Sequence, residues 1–243
     1  MTLRDTVVAM TPETIKKIIR PVVNRLISKG DSELEFWRSR FKGEGGRFGN
    51  SHYERLMLAM AQEPSAEFVR GKVVADFGCG PRGSLVWAEP AAVRIGIDVL
   101  ADRYADEFAS AIRSHGMVYV KSTESVIPLP SDFVDVMITL NAIDHVDNLA
   151  AMCEEIIRVM KPGGRFIGSF NLEEPASTCE PQQLSETIVR ESLLNRLVVE
   201  SYRITGKGPD GDPYGPFFSG RPLTYTPGEE GFLWVTARKP VRS

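Results

Sequence analysis

The chain has 243 residues, 42% hydrophobic and 25% charged, so it is long enough to bury the core of one domain, with room for a small appendage. Its net charge is -3, so the chain as a whole lacks the positive charge that binds nucleic acid, and we expect no nucleic-acid partner. Three widely spaced cysteines form neither a disulfide framework nor a zinc motif, so we predict no metal and a reducing, cytoplasmic location.

The first 70 residues predict a helical N-terminal cap. Thr11 is a plausible N-cap, and apolar residues then follow helical spacing up to Gly30. A second helix is predicted over Ser32–Phe41, and the capping pair Ser51 and Glu54 starts a third. The basic face of the first helix is typical of a solvated surface, with a membrane-surface helix as the alternative. No apolar run approaches the roughly 20 residues of a membrane span, so no stable membrane insertion is expected.

From residue 71 the pattern changes to strands that alternate with helices. This order predicts a second domain over 71–243, an α/β fold whose parallel sheet has helices on both faces. The predicted elements are strands Val73–Phe77, Val93–Ile97, Met117–Val120, Val134–Leu140 and Arg165–Phe170, with helices Ala101–Ser114 and Asn148–Met160.

The C-terminal part contains a long segment rich in glycine and proline. A helix over Gln182–Leu193 and a strand over Leu197–Arg203 precede it, and a strand over Phe232–Arg238 follows. Loops as long as 204–231 are often functional, so we interpret this one as a lid over an aromatic or extended acceptor; a decorated hairpin is the alternative. Its aromatic residues are Tyr214, Phe217, Phe218 and Tyr225.

A glycine-rich turn after the first of these strands carries the sharpest local signal. Gly78, Gly80 and Gly83 have G-x-G-x-x-G spacing, which brings the backbone close to a nucleotide ligand at the strand's carboxyl end. The spacing fits a dinucleotide as well as S-adenosylmethionine. Asp76 favours the second ligand, because a carboxylate repels a pyrophosphate and attracts ammonium and sulfonium groups.

The second strand ends in another acidic residue. Asp98 stands where a carboxylate would bind both ribose hydroxyls of either nucleotide, so it does not discriminate between them. Val99 follows it and is predicted to pack on an adenine face.

Four ordered motifs resemble those of class I S-adenosylmethionine-dependent methyltransferases, in the small-molecule, type 11-like branch. The motifs are Asp76–Gly80, Gly96–Asp98, Ile127–Pro130 with Phe133–Val136, and Arg158–Gly164. The resemblance covers roughly residues 68–205. It implies a Rossmann-like sheet of seven mostly parallel strands whose last strand is antiparallel, and a short helix after Gly83, since Pro90 follows closely.

The resemblance also implies which residues bind S-adenosyl-L-methionine. They are Asp76, Gly78, Cys79, Gly80, Asp98, Thr123, Glu124 and Asn141. The first four hold the methionine part, near which Asn141 also lies, and Asp98 holds the ribose. Thr123 and Glu124 match the segment beside the adenine, where the family usually has Asp-Ala.

The acceptor is expected beside the segment after the fourth strand. His145 is the predicted catalytic base, with Asp144 beside it, because an unperturbed imidazole titrates near neutrality and a hydroxyl acceptor must lose a proton. The alternative is a histidine that serves packing. His52 and His115 have weaker cases. Arg47 is a candidate partner of the methionine carboxylate, with a solvated arginine as the alternative.

The predicted function is S-adenosylmethionine-dependent methyl transfer to oxygen of a small molecule, such as a sugar or a natural product. One rival is an NAD(P)-dependent oxidoreductase, which the glycine spacing supports and Asp76 opposes. A second rival is a non-catalytic, methyltransferase-like partner subunit. Projection of Asp144 and His145 into a pocket beside the sulfonium would favour the enzyme. We expect a monomer or a homodimer.

Overall fold

The computed structural model describes residues 28–208, 212, 214–218 and 223–241. All but the end of the first predicted helix, from Thr11 to Gly30, lies outside these residues. The strands in the described part are β1 Val73–Phe77, β2 Val93–Asp98, β3 Val118–Lys121, β4 Val134–Leu140, β5 Met160–Leu172, β6 Val198–Gly206 and β7 Gly231–Arg238. They form one sheet in the order β3-β2-β1-β4-β5-β7-β6.

The sheet is parallel except at its last strand. β7 runs antiparallel to both β5 and β6, whereas the pairs among β1 to β5 are parallel. The predicted seven-stranded, mostly parallel sheet is therefore confirmed. Strand order reverses between β1 and β4, and such a reversal opens a ligand crevice at the carboxyl ends of the strands.

Helices cover both faces of the sheet, as the strand–helix alternation predicts. In the described part the α-helices are α1 Lys29–Gly43, α2 Ser51–Ala61, α3 Ala101–Glu107, α4 Ala109–Ser114, α5 Leu149–Val159, α6 Glu186–Ser192 and α7 Tyr214–Phe218. Met57 of α2 packs in one apolar cluster with Val136, and Met152 of α5 packs in another with Phe166. None of the helices within these ranges has the length and apolarity to cross a bilayer.

The cap helix α1 is held against the segment that follows β2. Leu34 is buried in a cluster with Leu100, Tyr104 and Phe108. The guanidinium of Arg38 donates two hydrogen bonds, of 2.9 and 2.7 Å, to the Glu107 carboxylate. These contacts place α1 over the carboxyl ends of the strands.

Several predicted elements have other bounds in the structure, and three of these differences have a clear physical reason. The helix predicted over Ala101–Ser114 divides at Phe108, whose ring is buried 5.2 Å from Phe41, so this tertiary contact overrides local helix propensity. β5 begins at Met160, before its predicted start, because the turn pairs with the C-terminal segment: Gly163 N–H donates to the Lys239 carbonyl.

The third difference concerns the helix implied after Gly83. Residues 84–92 form turns instead, with short-range hydrogen bonds such as Val86 N–H to the Gly83 carbonyl. Proline at position 90 has no N–H to continue a helix. The Ser84 hydroxyl is also engaged with Asp76.

Candidate cofactor and acceptor site

A cavity of about 550 Å³ lies at the carboxyl ends of β1, β2 and β4, beneath α1. Most residues predicted to bind the cofactor or acceptor line it: Asp76, Gly78, Cys79, Gly80, Asp98, Val99, Glu124, Asn141 and His145. Thr123 and Asp144 do not. The topology thus brings together side chains that lie far apart in the sequence.

Asp76 is a buried carboxylate with an unsatisfied oxygen. Its side chain is at the floor of the cavity, and the Ser84 hydroxyl donates to Oδ2. Oδ1 has no hydrogen-bond partner among the described residues. Burial raises the pKa of Asp76 to about 7, and the charge of Asp98 acts in the same direction. A buried carboxylate of this kind favours a cationic ligand, which would replace the solvent it has lost.

Asp98 fixes the turns that follow β1 and β2. Oδ2 accepts the Gly80 N–H at 3.0 Å, and Oδ1 accepts the Leu100 N–H at 2.9 Å. Burial raises the pKa of Asp98 to about 7, and Glu33 of α1 adds to the effect. Asp76, Asp98 and Glu33 together give this part of the cavity a negative electrostatic potential.

The glycines of the turn are required by close packing. A Cβ at Gly78 would lie 2.1 Å from the Cβ of Ala142, and the residue has a φ of +71°. A Cβ at Gly80 would lie 2.7 Å from the Trp37 ring. The two glycines therefore allow the loop after β4 and the cap helix α1 to pack against the same turn.

Among the cavity-wall atoms without partners in the described residues are an indole N–H and a guanidinium N–H. They are Nε1 of Trp37 and Nε of Arg82, both buried. The Arg82 guanidinium pairs through Nη2 with Glu44, and the Phe48 ring lies 6.0 Å from both Arg82 and the Trp37 ring. Sequence reasoning missed this pair. Arg82 lies inside the glycine motif and could have been noticed there, but nothing local links it to Trp37.

The two residues predicted beside the adenine behave differently. Thr123 is exposed, and its hydroxyl accepts the Val126 N–H at 3.0 Å, which is the role of a turn residue. Glu124 faces the cavity, accepts the Asp147 N–H at 3.1 Å and lies 3.5 Å from Lys29 Nζ. Any contact of either residue with a cofactor stays a prediction.

Asn141 follows β4 and has a left-handed backbone conformation. Its φ is +46°, and its side-chain oxygen accepts a hydrogen bond of 2.9 Å from the Ser169 hydroxyl. Asparagine tolerates this conformation better than most residues. The arrangement holds its side chain at the cavity beside the Gly78 turn.

On the acceptor side, His145 lines the cavity beside an acidic partner. Its Nε2 is 3.6 Å from Oε1 of Glu180, while its Nδ1 is buried without a partner in the described part of the chain. Asp144 is 4% exposed, and its Oδ2 accepts a hydrogen bond of 3.2 Å from Asn171. Burial raises the pKa of Asp144, and the neighbouring His145 opposes this rise.

Aromatic side chains form much of the cavity wall. They are Phe36, Trp37, Tyr53, Phe77 and Tyr214. His52 also lines the cavity, with its ring 4.2 Å from the Tyr53 ring, and burial lowers the pKa of His52. Among the predicted lid residues, Tyr214 reaches the cavity, whereas Phe217 packs 4.4 Å from Trp234.

The remaining candidates lie outside the cavity wall. His115 is buried, and its Nδ1 is 2.8 Å from the Tyr119 hydroxyl. Arg47 is exposed. His52 is therefore the one weaker histidine candidate in the described structure that the fold brings to the cavity.

Comparison with known proteins identifies the central segment. Residues 75–168 match the family model described as a methyltransferase domain. A malonyl-[acyl-carrier protein] O-methyltransferase of Enterobacter lignolyticus is 31% identical over 106 residues, which are 43% of this chain and 40% of that protein. An uncharacterized methyltransferase of Mycobacteroides abscessus is 28% identical over 120 residues, 48% of this chain and 46% of that protein. The chain thus aligns with less than half the length of each relative.

Solved structures share the fold at low identity. The [4+2]-cyclase SpnF has a TM-score of 0.56 at 20% identity, covering 78% of this chain and 82% of that one. An S-adenosylmethionine dependent methyltransferase from Mesorhizobium loti has a TM-score of 0.51 at 18% identity, covering 74% and 95%. Sheet topology, motif order and the matched family model agree, so residues 75–168 belong to a class I methyltransferase domain of the type 11-like branch.

Proposed function

We propose that the protein is an S-adenosylmethionine-dependent methyltransferase that methylates an oxygen of a small molecule. One observation carries the cofactor part of this proposal: the cavity holds an unsatisfied buried acceptor, Asp76 Oδ1, together with the unsatisfied donors of Trp37 and Arg82. Fold alone would not suffice, because a structure of the same fold is a [4+2]-cyclase.

The methionine part of S-adenosylmethionine carries the complementary groups. Its ammonium would donate to Asp76, and its carboxylate would accept from Trp37 Nε1 and Arg82 Nε. Each of these pairings satisfies a group that otherwise stays buried and unpaired, at a cost of about 1–3 kcal/mol. We assign Asp98 to the ribose and Val99 to the adenine face. The backbone of Gly78, Cys79 and Gly80 would contact the methionine part.

The dinucleotide alternative is opposed by two features of this site. A Rossmann dinucleotide site places the pyrophosphate on the N-terminus of the helix after the glycine turn, and residues 84–92 form turns here. The buried carboxylates of Asp76 and Asp98 would also repel the phosphates.

The acceptor part of the proposal rests on His145. S-adenosylmethionine supplies an electrophilic methyl group on a sulfonium. If the acceptor oxygen attacks that methyl carbon, the carbon–sulfur bond would break with its electron pair on sulfur, S-adenosylhomocysteine would leave, and the hydroxyl proton would pass to His145. His145 lies in the cavity wall, next to Asp144 in the sequence and beside Glu180. The aromatic wall would position a flat or stacked acceptor and exclude water. A sugar or a natural product fits this description.

The first test is calorimetric titration of the purified protein with S-adenosylhomocysteine and, separately, with NAD and NADP. We expect saturable binding of S-adenosylhomocysteine that is lost in Asp98→Ala, with no binding of either nicotinamide nucleotide. Binding of NAD or NADP instead would refute the methyltransferase proposal.

Replacement of Trp37 by phenylalanine should weaken S-adenosylhomocysteine binding by about fivefold to tenfold. The variant keeps an aromatic side chain on α1 but loses the indole N–H and the ring edge that packs on Gly80. The lost hydrogen bond contributes about 1 kcal/mol. Trp87→Phe is the matched control, because the Trp87 indole already contacts Met57 Sδ at 3.2 Å and lies outside the cavity wall. Equal affinities of the two variants would show that the Trp37 N–H binds nothing on the cofactor.

Replacement of His145 by glutamine should lower kcat by about 10²- to 10⁴-fold, the usual contribution of general base catalysis, while S-adenosylhomocysteine binding is kept. His52→Gln serves as the control, since His52 lines the same cavity on α2. Turnover is measured with an acceptor found by product analysis of a small-molecule library, in the presence of a chelator. A larger loss in His52→Gln than in His145→Gln would transfer the base role to His52.

The same turnover assay would distinguish an enzyme from a non-catalytic partner subunit. A subunit of that kind would bind S-adenosylhomocysteine yet methylate no acceptor in the library. Cytoplasmic location and a monomeric or homodimeric state stay predictions, which cell fractionation and light scattering would check.

A further inference from the structure

Three potential metal ligands meet at the acceptor end of the cavity. Asp144, His145 and Glu180 each offer one ligand atom, and the three atoms lie within 4.8 Å of one another. Nε2 of His145 and Oε1 of Glu180 are 3.6 Å apart. With metal–ligand bonds of about 2.0–2.2 Å, neighbouring ligand atoms are roughly 3–4 Å apart, so small side-chain rotations would complete the set.

A second observation concerns unsatisfied atoms in this cluster. Asp144 is 4% exposed, and its Oδ1 has no hydrogen-bond partner within the described ranges. No lysine or arginine in those ranges forms an ion pair with Asp144 or Glu180; Lys29 pairs with Glu124 and Asp147 instead. A buried carboxylate oxygen without a partner is costly, and a bound cation would offset that cost.

We propose that Asp144, His145 and Glu180 bind a divalent transition-metal ion of the Mn²⁺ or Zn²⁺ type at the acceptor end of the cavity. One imidazole and two carboxylates form a nitrogen and oxygen set that suits these ions better than Ca²⁺ or Mg²⁺, which prefer oxygen alone. The Asn171 amide, which donates to Asp144 Oδ2, would orient that ligand. The cysteine pattern, which argues against a thiolate site, does not bear on this one.

The role of such an ion rests on the proposed function. His145 and Glu180 line the cavity, so open coordination positions would face an acceptor hydroxyl. An imidazole nitrogen that binds a metal ion cannot accept a proton. In the metal-bound protein the ion would therefore hold and acidify the hydroxyl in place of the base, and the metal-free protein would depend on His145.

The test is titration of the full chain, free of cofactor, with Mn²⁺ followed by electron paramagnetic resonance, and with Zn²⁺ followed by calorimetry. We expect one Mn²⁺ per chain and at least a tenfold weaker affinity in Glu180→Gln and in His145→Gln. Glu173→Gln is the control, because it removes the same charge from the same segment outside the cluster. Cys179→Ser should keep the Mn²⁺ affinity, since thiolates are poor ligands for Mn²⁺.

Two results would overturn the metal site: no saturable binding of either ion, or an unchanged affinity in Glu180→Gln. Thermal unfolding of each variant checks that the fold is kept, which we expect because Glu180 is only partly buried. S-adenosylhomocysteine is titrated into the same preparations with a chelator present. Binding of S-adenosylhomocysteine without metal binding would refute this inference and leave the proposed function intact.

Discussion

Asp76→Asn should make the cofactor-free protein more stable and at the same time remove most of its cofactor affinity. Asp76 is buried, leaves Oδ1 unsatisfied and is repelled by Asp98, so its negative charge opposes folding. Asparagine has nearly the same shape without the charge. At pH 8 we expect the unfolding free energy to rise by about 1–3 kcal/mol, or roughly 3–10 °C in Tm for a chain of this size.

Binding should change in the opposite direction. A hydrogen bond between charged groups contributes about 1.5–3 kcal/mol, so loss of the carboxylate should weaken S-adenosylhomocysteine binding by about 10- to 100-fold. Asp102→Asn is the control, because Asp102 is half-exposed, is paired with Lys121 and lies outside the cavity wall. A destabilised Asp76→Asn protein that still binds normally would contradict the assigned role of this residue.

The pH dependence of stability gives an independent check on the predicted stabilisation by Asp76→Asn. The pKa of Asp76 is raised from 3.8 to about 7 by folding, so the folded state binds more protons than the unfolded state between these values. The contribution of Asp76 to the free energy of unfolding is therefore most favourable below pH 4, and it is lost as the pH rises to about 7. The advantage of Asp76→Asn should shrink as the pH is lowered from 8 to 4. Chemical denaturation at several pH values measures it.

Gly78→Ala should destabilise the protein strongly, although it adds only one methyl group. The new Cβ would stand 2.1 Å from the Ala142 Cβ, and the φ of +71° is unfavourable for alanine. Overpacking and backbone strain together should cost roughly 2–5 kcal/mol, and loss of the turn should abolish S-adenosylhomocysteine binding. Thermal unfolding and calorimetry measure the two effects.

A matched control separates strain from overpacking. Gly45 has the same φ of +71°, but no atom of the described residues lies within 4 Å of its Cβ position, so Gly45→Ala should cost only the backbone strain of roughly 1–2 kcal/mol. The double variant Gly78→Ala with Ala142→Gly removes the colliding methyl group and should recover part of the stability. If Gly78→Ala were no worse than Gly45→Ala, close packing would not be the reason for this glycine.

The sheet and the cofactor motif could be predicted because their signals are local. A run of buried, mostly apolar residues such as Val73–Phe77, followed by closely spaced glycines, predicts a strand and a turn from neighbouring residues alone. The strands and helices after it are predicted in the same way. Asp76 and Asp98 could be placed in one cavity for the same reason, since each lies at or next to the end of a strand and parallel strands present their carboxyl ends at one edge.

Contacts between distant segments could not be predicted in this way. The Trp37 and Arg82 donors become neighbours of one ligand site only because α1 packs on Leu100 and Phe108, and this packing has no periodic signature. The same packing divides the helix predicted over Ala101–Ser114. Likewise, the C-terminal pairing of Gly163 with Lys239 extends β5 through a stretch whose residues locally favour a turn.

The sequence by itself determined the α/β class, the acidic glycine turn and the resemblance to methyltransferases, because these features depend on residue types at short, fixed spacings. The tertiary structure decided which side chains share the cavity, because burial and missing partners are properties of the packed chain. Thus Thr123 has the expected position in the sequence but faces solvent, whereas Glu180, which no sequence pattern marks, lies within 4.8 Å of His145 and Asp144 at the acceptor end.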